Sequence, residues 1–284
     1  MTFANWVELA KLRIGVMIAL TAVVAYVAVA ETVRLDEIIP LVVVMLLGSA
    51  SSAVFNHYHD RDIDRRMART SGRPLARDLL GSPGKVLWLA ALLLAIGVGL
   101  SLWLFNGAVA LHLFLGAFFY GVVYTVWLKR RTWLNIVLGG LAGSFAVLAG
   151  AAVAGEWQGT LPLMLALVLF FWTPSHFWSL AIHLKEEYGR VGVPMLPVVV
   201  GRARAAKFVL LNSVLLVVAS LMPWVLGDLG GIYLGGAILS GSLILLGNWR
   251  MVRLPTPEMG WANFMGSMRY LGMLFLAICL DVSL

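Results

Sequence analysis

The sequence has little of two things that soluble proteins usually contain, cysteine and charge. Its single cysteine, Cys279, excludes an intramolecular disulfide and a metal site built from several thiolates. Only 12% of the 284 residues are charged, against about 25% in a soluble domain. Because 61% are hydrophobic, a soluble protein of this length could not bury so much apolar surface in one core. The composition therefore predicts a protein whose solvent is largely lipid.

Acidic residues are the scarcer of the charged types, 14 against 21 Lys and Arg, which gives a formal net charge of +7. In a soluble protein this excess would suggest nucleic acid as a partner. In a membrane protein it more readily reflects topology and an anionic ligand. We therefore expect a lipid bilayer around the chain, and no nucleic-acid partner.

Long apolar runs are what the sequence has in abundance. Nine of them reach the length that spans a bilayer, and turn-forming residues separate them. No segment between the runs is long enough to form a domain of its own. We predict one all-α domain over residues 1–284, a bundle of nine transmembrane helices with cytoplasmic loops capping a central cavity. The runs cover residues 14–33, 38–56, 84–105, 107–127, 133–154, 161–183, 207–227, 231–249 and 262–283.

The first of these runs imitates a secretory signal peptide. Lys11 and Arg13 precede it, and the apolar stretch ends in Ala28-Val29-Ala30, a sequence similar to a cleavage site. The stretch is longer than the usual apolar core of a signal peptide. We interpret it as the first transmembrane helix.

Lysine and arginine are distributed unevenly between the predicted loops. Of the 21, all but Arg34 fall on the side of the N-terminus. By the positive-inside rule that side is cytoplasmic. It also holds the two longest loops, residues 57–83 and 184–206.

The first long loop begins with an acidic cluster at Asn56, Asp60 and Asp64. Residues spaced four apart on a helix share one stripe, and Asp62 falls roughly on the opposite side. One amide oxygen and two carboxylates are hard ligands that suit Mg²⁺, which takes phosphate oxygens as further ligands. The spacing indicates a site for magnesium and a diphosphate.

Two other interpretations compete with this one. The cluster could be a solvated helix end, or His57 and His59 could bind zinc, although residues two apart on a helix point away from each other. The position at the end of a membrane helix favours a functional role, because carboxylates there are usually functional. In the first alternative the acids would pair with Arg61, Arg65 and Arg66.

Several segments together resemble the UbiA-type intramembrane prenyltransferases and, within that superfamily, the protoheme IX farnesyltransferases (haem O synthases). The superfamily has nine transmembrane helices and an Asn/Asp-rich motif after the second, which Asn56-x3-Asp60-x3-Asp64 matches. The likeness extends from the first helix to about residue 201. The other matching segments lie within residues 62–75, 124–140, 176–181 and 188–198.

One departure from the superfamily pattern bears on which molecule receives the prenyl group. Superfamily members that act on quinone precursors carry a second Asp-rich motif after the sixth helix, and haem O synthases lack it. The resemblance therefore implies haem as the acceptor and no second Mg²⁺ site. In this chain the region contains His183, Lys185, Glu186, Glu187 and Tyr188.

The resemblance implies transfer of a farnesyl group from farnesyl diphosphate to a vinyl group of protohaem IX (haem b), with Mg²⁺ as cofactor. The product, haem O, would serve terminal oxidase assembly. The expected partners are the two substrates, the lipid bilayer and proteins of haem synthesis or oxidase assembly. The expected location is the bacterial inner membrane, with the N-terminus and active site cytoplasmic.

The same resemblance suggests which residues carry the chemistry. The expected metal ligands, also catalytic, are Asn56, Asp60 and Asp64. We interpret His176 as a catalytic proton acceptor or a contact with the haem edge, unless it is merely hydrogen-bonded within the bundle. The residues expected beside the haem are His176, Lys185 and Tyr188, and those expected on the diphosphate are Arg13, Arg69, Arg73 and Lys129.

Two alternative functions stay open from sequence alone. One is a prenyltransferase that acts on an aromatic quinone precursor. The other is an ion-coupled transporter, which would place its carboxylates in mid-helix. Here the acids lie at a helix end among arginines, which favours the enzyme.

Overall fold

The computed structural model describes residues 2–79 and 83–284, and the secondary structure in this part is helical, without strands. Nine helices of the described chain are long and apolar enough to cross a membrane. The predicted fold class and helix count are therefore confirmed, and the chain is an integral membrane protein. Its outer surface exposes large apolar side chains such as Trp88, Trp103 and Leu276, as lipid contact requires.

The chain begins with a short helix, α1 (Phe3–Leu9), and two more short helices, α9 (Lys185–Arg190) and α10 (Leu196–Val200), lie in the second long loop. Two membrane spans are irregular: α5 continues as a π-helical segment, and α6 is joined to α7 at Gly140. The membrane helices are α2 (Leu12–Val29), α3 (Leu35–Asp64), α4 (Pro83–Leu104), α5 (Gly107–Phe118) with the π-helical segment Phe119–Leu128, α6 (Asn135–Gly139) with α7 (Leu141–Val153), α8 (Thr160–His183), α11 (Arg202–Val225), α12 (Gly231–Arg253) and α13 (Pro257–Ser283).

Several helices extend beyond the apolar runs that predicted them. The second membrane helix, α3, ends at Asp64 rather than at residue 56, and α11 begins at Arg202 rather than at 207. Hydropathy detects only the apolar part of a helix, whereas the helical hydrogen bonds continue into the polar ends. As a result, the whole stretch from Asn56 to Asp64 lies on one continuous helix.

Small residues allow several membrane helices to pack closely. On α7, Gly150 faces the backbone of α2 so closely that a Cβ would overlap the carbonyl oxygen of Ala22. On α13, Gly260 lies against the backbone of α8, where a Cβ would be 2.9 Å from the His183 nitrogen. These contacts hold the first and last membrane helices against the middle of the bundle.

Replacing Gly150 by alanine is expected to destabilise the protein by about 2–3 kcal/mol, because the backbones of α2 and α7 must move apart. The measurement is the melting temperature in detergent. The control is Gly99→Ala on α4, where a Cβ meets nothing within 4 Å, so helix propensity should make it neutral or slightly stabilising. Equal melting temperatures for both variants would contradict the close contact.

The two long loops meet at the end of the bundle where α3 ends. Ile63, near the end of α3, and Met67, just after it, pack in one apolar cluster with Tyr188 from the second long loop. Nη2 of Arg66 also donates a hydrogen bond to the Arg190 carbonyl oxygen at 3.0 Å. The loops therefore lie directly beside the acidic end of α3.

Candidate active site

Asn56, Asp60 and Asp64 lie on one buried face of α3, as their spacing predicts, and each is at most 3% exposed. The Asn56 Nδ2 donates a hydrogen bond to Asp60 Oδ2 at 2.7 Å. Asp62 points away: its side chain is exposed and pairs with Arg130, and this hydrogen bond raises the pKa of the Arg130 guanidinium. We call the three buried residues the acidic stripe.

Basic side chains from two other segments compensate the carboxylates of the acidic stripe. Lys129, just after the π-helical segment, forms an ion pair with Asp60. Arg73, in the first long loop, donates to both oxygens of Asp64 at 2.9 and 2.7 Å. Buried carboxylates need such partners, because an uncompensated charge at this depth would cost several kcal/mol.

Arg130 also reaches Asp60, with Nη2 3.7 Å from Oδ1, and Lys11 is a further basic residue at the acidic stripe. Its Nζ donates to Asn56 Oδ1 at 2.5 Å and to the Tyr120 hydroxyl at 3.1 Å. Burial, together with the nearby charges of Arg73 and Lys129, holds the pKa of the Lys11 ammonium well below its usual range. The residue separates α1 from α2 and has left-handed backbone angles, φ 47° and ψ 46°. Such a conformation is unfavourable for a residue with a side chain and is typical of functional sites.

The π-helical segment contributes the opposite wall of the site. Thr125 accepts a hydrogen bond from Asn56 Nδ2 at 3.1 Å and donates one to the Tyr120 carbonyl at 2.8 Å. The Lys129 amide closes the segment on the Tyr124 carbonyl five residues earlier, at 2.8 Å. The wider turn of a π-helix, which is common at functional sites, places Tyr120, Thr125 and Lys129 together against α3.

Two of the four predicted diphosphate residues, Arg73 and Lys129, form ion pairs with the carboxylates of the acidic stripe. Arg13 and Arg69 are exposed and form no hydrogen bond or ion pair with any described residue. The first membrane span contributes Lys11 instead, which the sequence showed only as a second basic residue beside Arg13. Tyr120 and Thr125 were also missed, because no sequence signal marked a π-helix.

The predicted acceptor residues lie on α8 and in the second long loop. His176 is buried, and its Nδ1 is 2.7 Å from the Ser267 Oγ of α13. Tyr188 is buried in the apolar cluster that also contains Ile63, which places it near the end of the acidic stripe. Lys185 is half-buried and forms no ion pair among the described residues.

Comparison with known proteins assigns the family. The sequence model of the UbiA prenyltransferase family matches residues 16–277. The chain belongs to the UbiA prenyltransferase family. It is 54% identical over 281 residues to protoheme IX farnesyltransferase 1 of Paramagnetospirillum magneticum, with 99% of each chain covered. It is 47% identical to protoheme IX farnesyltransferase 2 of the same organism, over 95% of this chain and 94% of that one.

A solved structure supports the fold. The UbiA homolog from Archaeoglobus fulgidus, bound to DMAPP and Mg²⁺, superposes with a TM-score of 0.72 over 96% of this chain and 99% of that one. The two sequences are 17% identical, so this likeness concerns the fold alone.

In this UbiA family member the acidic stripe has the chemistry that Mg²⁺ requires but lacks a complete set of protein ligands. No group of three imidazole, thiol or carboxylate side chains that could hold a metal is found in residues 2–79 and 83–284. The stripe offers two carboxylates and one amide oxygen. Mg²⁺ typically keeps waters and takes phosphate oxygens beside one or two carboxylates. The residues present therefore fit a magnesium ion that is bound together with a phosphorylated substrate.

Proposed function

We propose that the chain transfers a farnesyl group from farnesyl diphosphate to a vinyl group of protohaem IX, giving haem O for terminal oxidase assembly. The observation that carries this proposal is the buried acidic stripe surrounded by basic side chains, in a chain 54% identical over 99% of its length to a protoheme IX farnesyltransferase. We place the reaction in a single domain of a bacterial inner-membrane protein. The active site and the N-terminus are on the cytoplasmic side, where nearly all Lys and Arg lie.

Asn56, Asp60 and Asp64 are the residues that would hold Mg²⁺. The Mg²⁺ found with DMAPP in the A. fulgidus homolog supports a divalent metal as cofactor. When bound, the metal supplies Lewis-acid neutralisation of the charge that develops on the leaving diphosphate.

The basic residues of the site stabilise the diphosphate directly. Arg73 and Lys129 pair with the carboxylates of Asp64 and Asp60, the residues that would hold the metal. The two cations, together with Lys11, then interact with diphosphate oxygens. Once they contact the diphosphate, these basic groups stabilise the negative charge that develops on it as the C–O bond breaks. The roles of Arg13 and Arg69 stay predictions from the resemblance.

The remaining steps take place on the apolar side of the site. Ionisation of the allylic C–O bond leaves a cation, which the faces of aromatic rings stabilise by cation–π attraction. The vinyl group of the haem attacks this cation, and water adds to the resulting carbocation and loses a proton. Helices that exclude bulk water protect the farnesyl cation from hydrolysis. We place the haem beside His176, Lys185 and Tyr188.

A direct assay tests the proposed reaction. Purified protein with farnesyl diphosphate and Mg²⁺ is given either haem b or an aromatic quinone precursor, and products are identified by mass spectrometry. We expect haem b to be converted to the hydroxyfarnesylethyl haem and the quinone precursor to stay unprenylated. Removing the metal with EDTA should abolish product formation. Prenylation of the quinone precursor but not of haem b would contradict the proposal.

A further inference from the structure

The ring of His176 is held on three sides by aromatic side chains. Trp172 stacks on one side with ring centroids 4.3 Å apart and planes at 18°, and Phe264 lies 4.4 Å away at 33°. Phe177 contacts the ring edge-on at 5.0 Å. His176 is 6% exposed, so both the position and the plane of the imidazole are fixed by packing.

The hydrogen bonds of Ser267 determine which ring nitrogen carries the proton. Ser267 Oγ lies 2.7 Å from the Phe264 carbonyl oxygen, which can only accept, so the hydroxyl hydrogen is used there. With the hydroxyl hydrogen on that carbonyl, the same Oγ, 2.7 Å from His176 Nδ1, accepts a hydrogen bond from an Nδ1–H group. The proton is on Nδ1, and Nε2 has a free lone pair and no hydrogen bond to any described residue.

We propose that Nε2 of His176 coordinates the iron of the haem b substrate, and that Ser267 is the positioning residue that fixes this tautomer. The proposal rests on the proposed function, since it takes haem as the acceptor. A histidine that binds a metal almost always donates its other ring N–H to a nearby acceptor, as His176 does. Iron held at a fixed point sets the distance between the vinyl edge of the porphyrin and the allylic carbon.

Coordination explains the site better than proton transfer does. A proton acceptor at this position would have to become a cation among three aromatic rings, without a carboxylate partner among the described residues, and such burial of charge is costly. A neutral nitrogen ligand avoids that cost, because the ring gains no proton when it binds iron.

The other histidines lack this combination of features. His59 Nδ1 lies 3.5 Å from Asp60 Oδ1, but its side chain is partly exposed and lies at the acidic stripe. His57 and His112 are buried, but neither ring nitrogen of either residue has a hydrogen-bond partner among the described residues, so nothing fixes their tautomers. His183 Nδ1 lies 3.1 Å from the Pro257 carbonyl, but the residue ends α8 and is only half-buried. His176 is therefore the strongest candidate, and His183 is the comparison that the experiment must include.

The experiment titrates the purified wild-type chain in detergent with ferric haem b and records the Soret absorption and the EPR spectrum. We expect saturable binding with the spectrum of histidine-ligated haem. His176→Ala should lose this spectrum and regain it with added imidazole. Ser267→Ala should weaken haem binding roughly tenfold, as loss of a partner of a metal-bound histidine typically does. His112→Ala, a buried histidine elsewhere in the bundle, should leave the spectrum unchanged.

Metal-free protoporphyrin IX separates coordination from general packing. It has no iron to bind, so wild type, His176→Ala and Ser267→Ala should bind it equally. A drop in its binding comparable to the drop for haem b would show a structural role and overturn the proposal. An unchanged Soret band in His176→Ala, or its loss in His183→Ala instead, would also overturn it.

The failure of this inference can be distinguished from failure of the proposed function. If the wild type farnesylates haem b while His176→Ala keeps the wild-type haem spectrum, only the coordination is wrong. If the wild type produces no farnesylated haem, the proposed function is wrong.

Discussion

Replacing Asp60 with asparagine is expected to lower the rate of haem farnesylation by about 10³-fold. Asp60 is at the centre of the acidic stripe, where its carboxylate accepts from Asn56 and pairs with Lys129. Asparagine has nearly the same shape, so the substitution removes a negatively charged ligand without opening a cavity. The measurement is the initial rate of haem O formation per amount of folded protein, with both substrates saturating.

The matched control is Asp62→Asn, two residues away on the same helix but on its exposed face. Its activity should stay within about twofold of wild type, because a surface ion pair contributes little. Wild-type turnover by Asp60→Asn would remove Asp60 from the magnesium site.

A double variant tests whether the broken Asp60–Lys129 ion pair causes the loss of stability. Asp60→Asn leaves the buried Lys129 ammonium without its partner, and this should lower the melting temperature. Adding Lys129→Met removes the unpaired charge, so stability should recover while activity stays lost. Recovery of activity in the double variant would show that the first loss came from misfolding.

The acidic stripe and the helix count were predictable because both depend on local patterns. Nine apolar runs reach membrane length, and residues four apart share a helix face once the helix continues through Asp64. Nothing beyond these two regularities was needed to place Asn56, Asp60 and Asp64 together, or to turn Asp62 away from them.

Which basic side chains reach the acidic stripe was only partly predictable, because the direction of each side chain depends on irregular backbone. Residues 65–79 form turns and bends rather than a helix, so the spacing of Arg69 and Arg73 does not determine where either side chain points. The π-helical segment shifts Thr125 and Lys129 relative to an α-helix. Lys11 points to the stripe because of a left-handed turn, and no residue type in the sequence marks that turn, since glycine would be the usual sign.

Because that left-handed turn directs Lys11 to the acidic stripe, its replacement is the second change expected to lower activity strongly. Lys11→Gly is expected to lower activity about 10²-fold, the typical cost of removing one preorganised donor to a developing anion. The KM for farnesyl diphosphate should rise as well, because Lys11 is proposed to contact the bound diphosphate. Steady-state kinetics with farnesyl diphosphate as the varied substrate measures both effects.

The melting temperatures of the Lys11 variants should not parallel their activities. A φ of 47° suits glycine and strains residues that have a Cβ, so Lys11→Gly should melt higher than Lys11→Ala although both lose the ammonium. Arg13→Ala is the decisive comparison, since the family resemblance assigned the diphosphate to Arg13 while the structure places Lys11 at Asn56. A large loss in Arg13→Ala with near wild-type kinetics in Lys11→Gly would return the role to Arg13. The opposite result would assign the diphosphate contact to Lys11, which the left-handed turn between α1 and α2 directs to the acidic stripe.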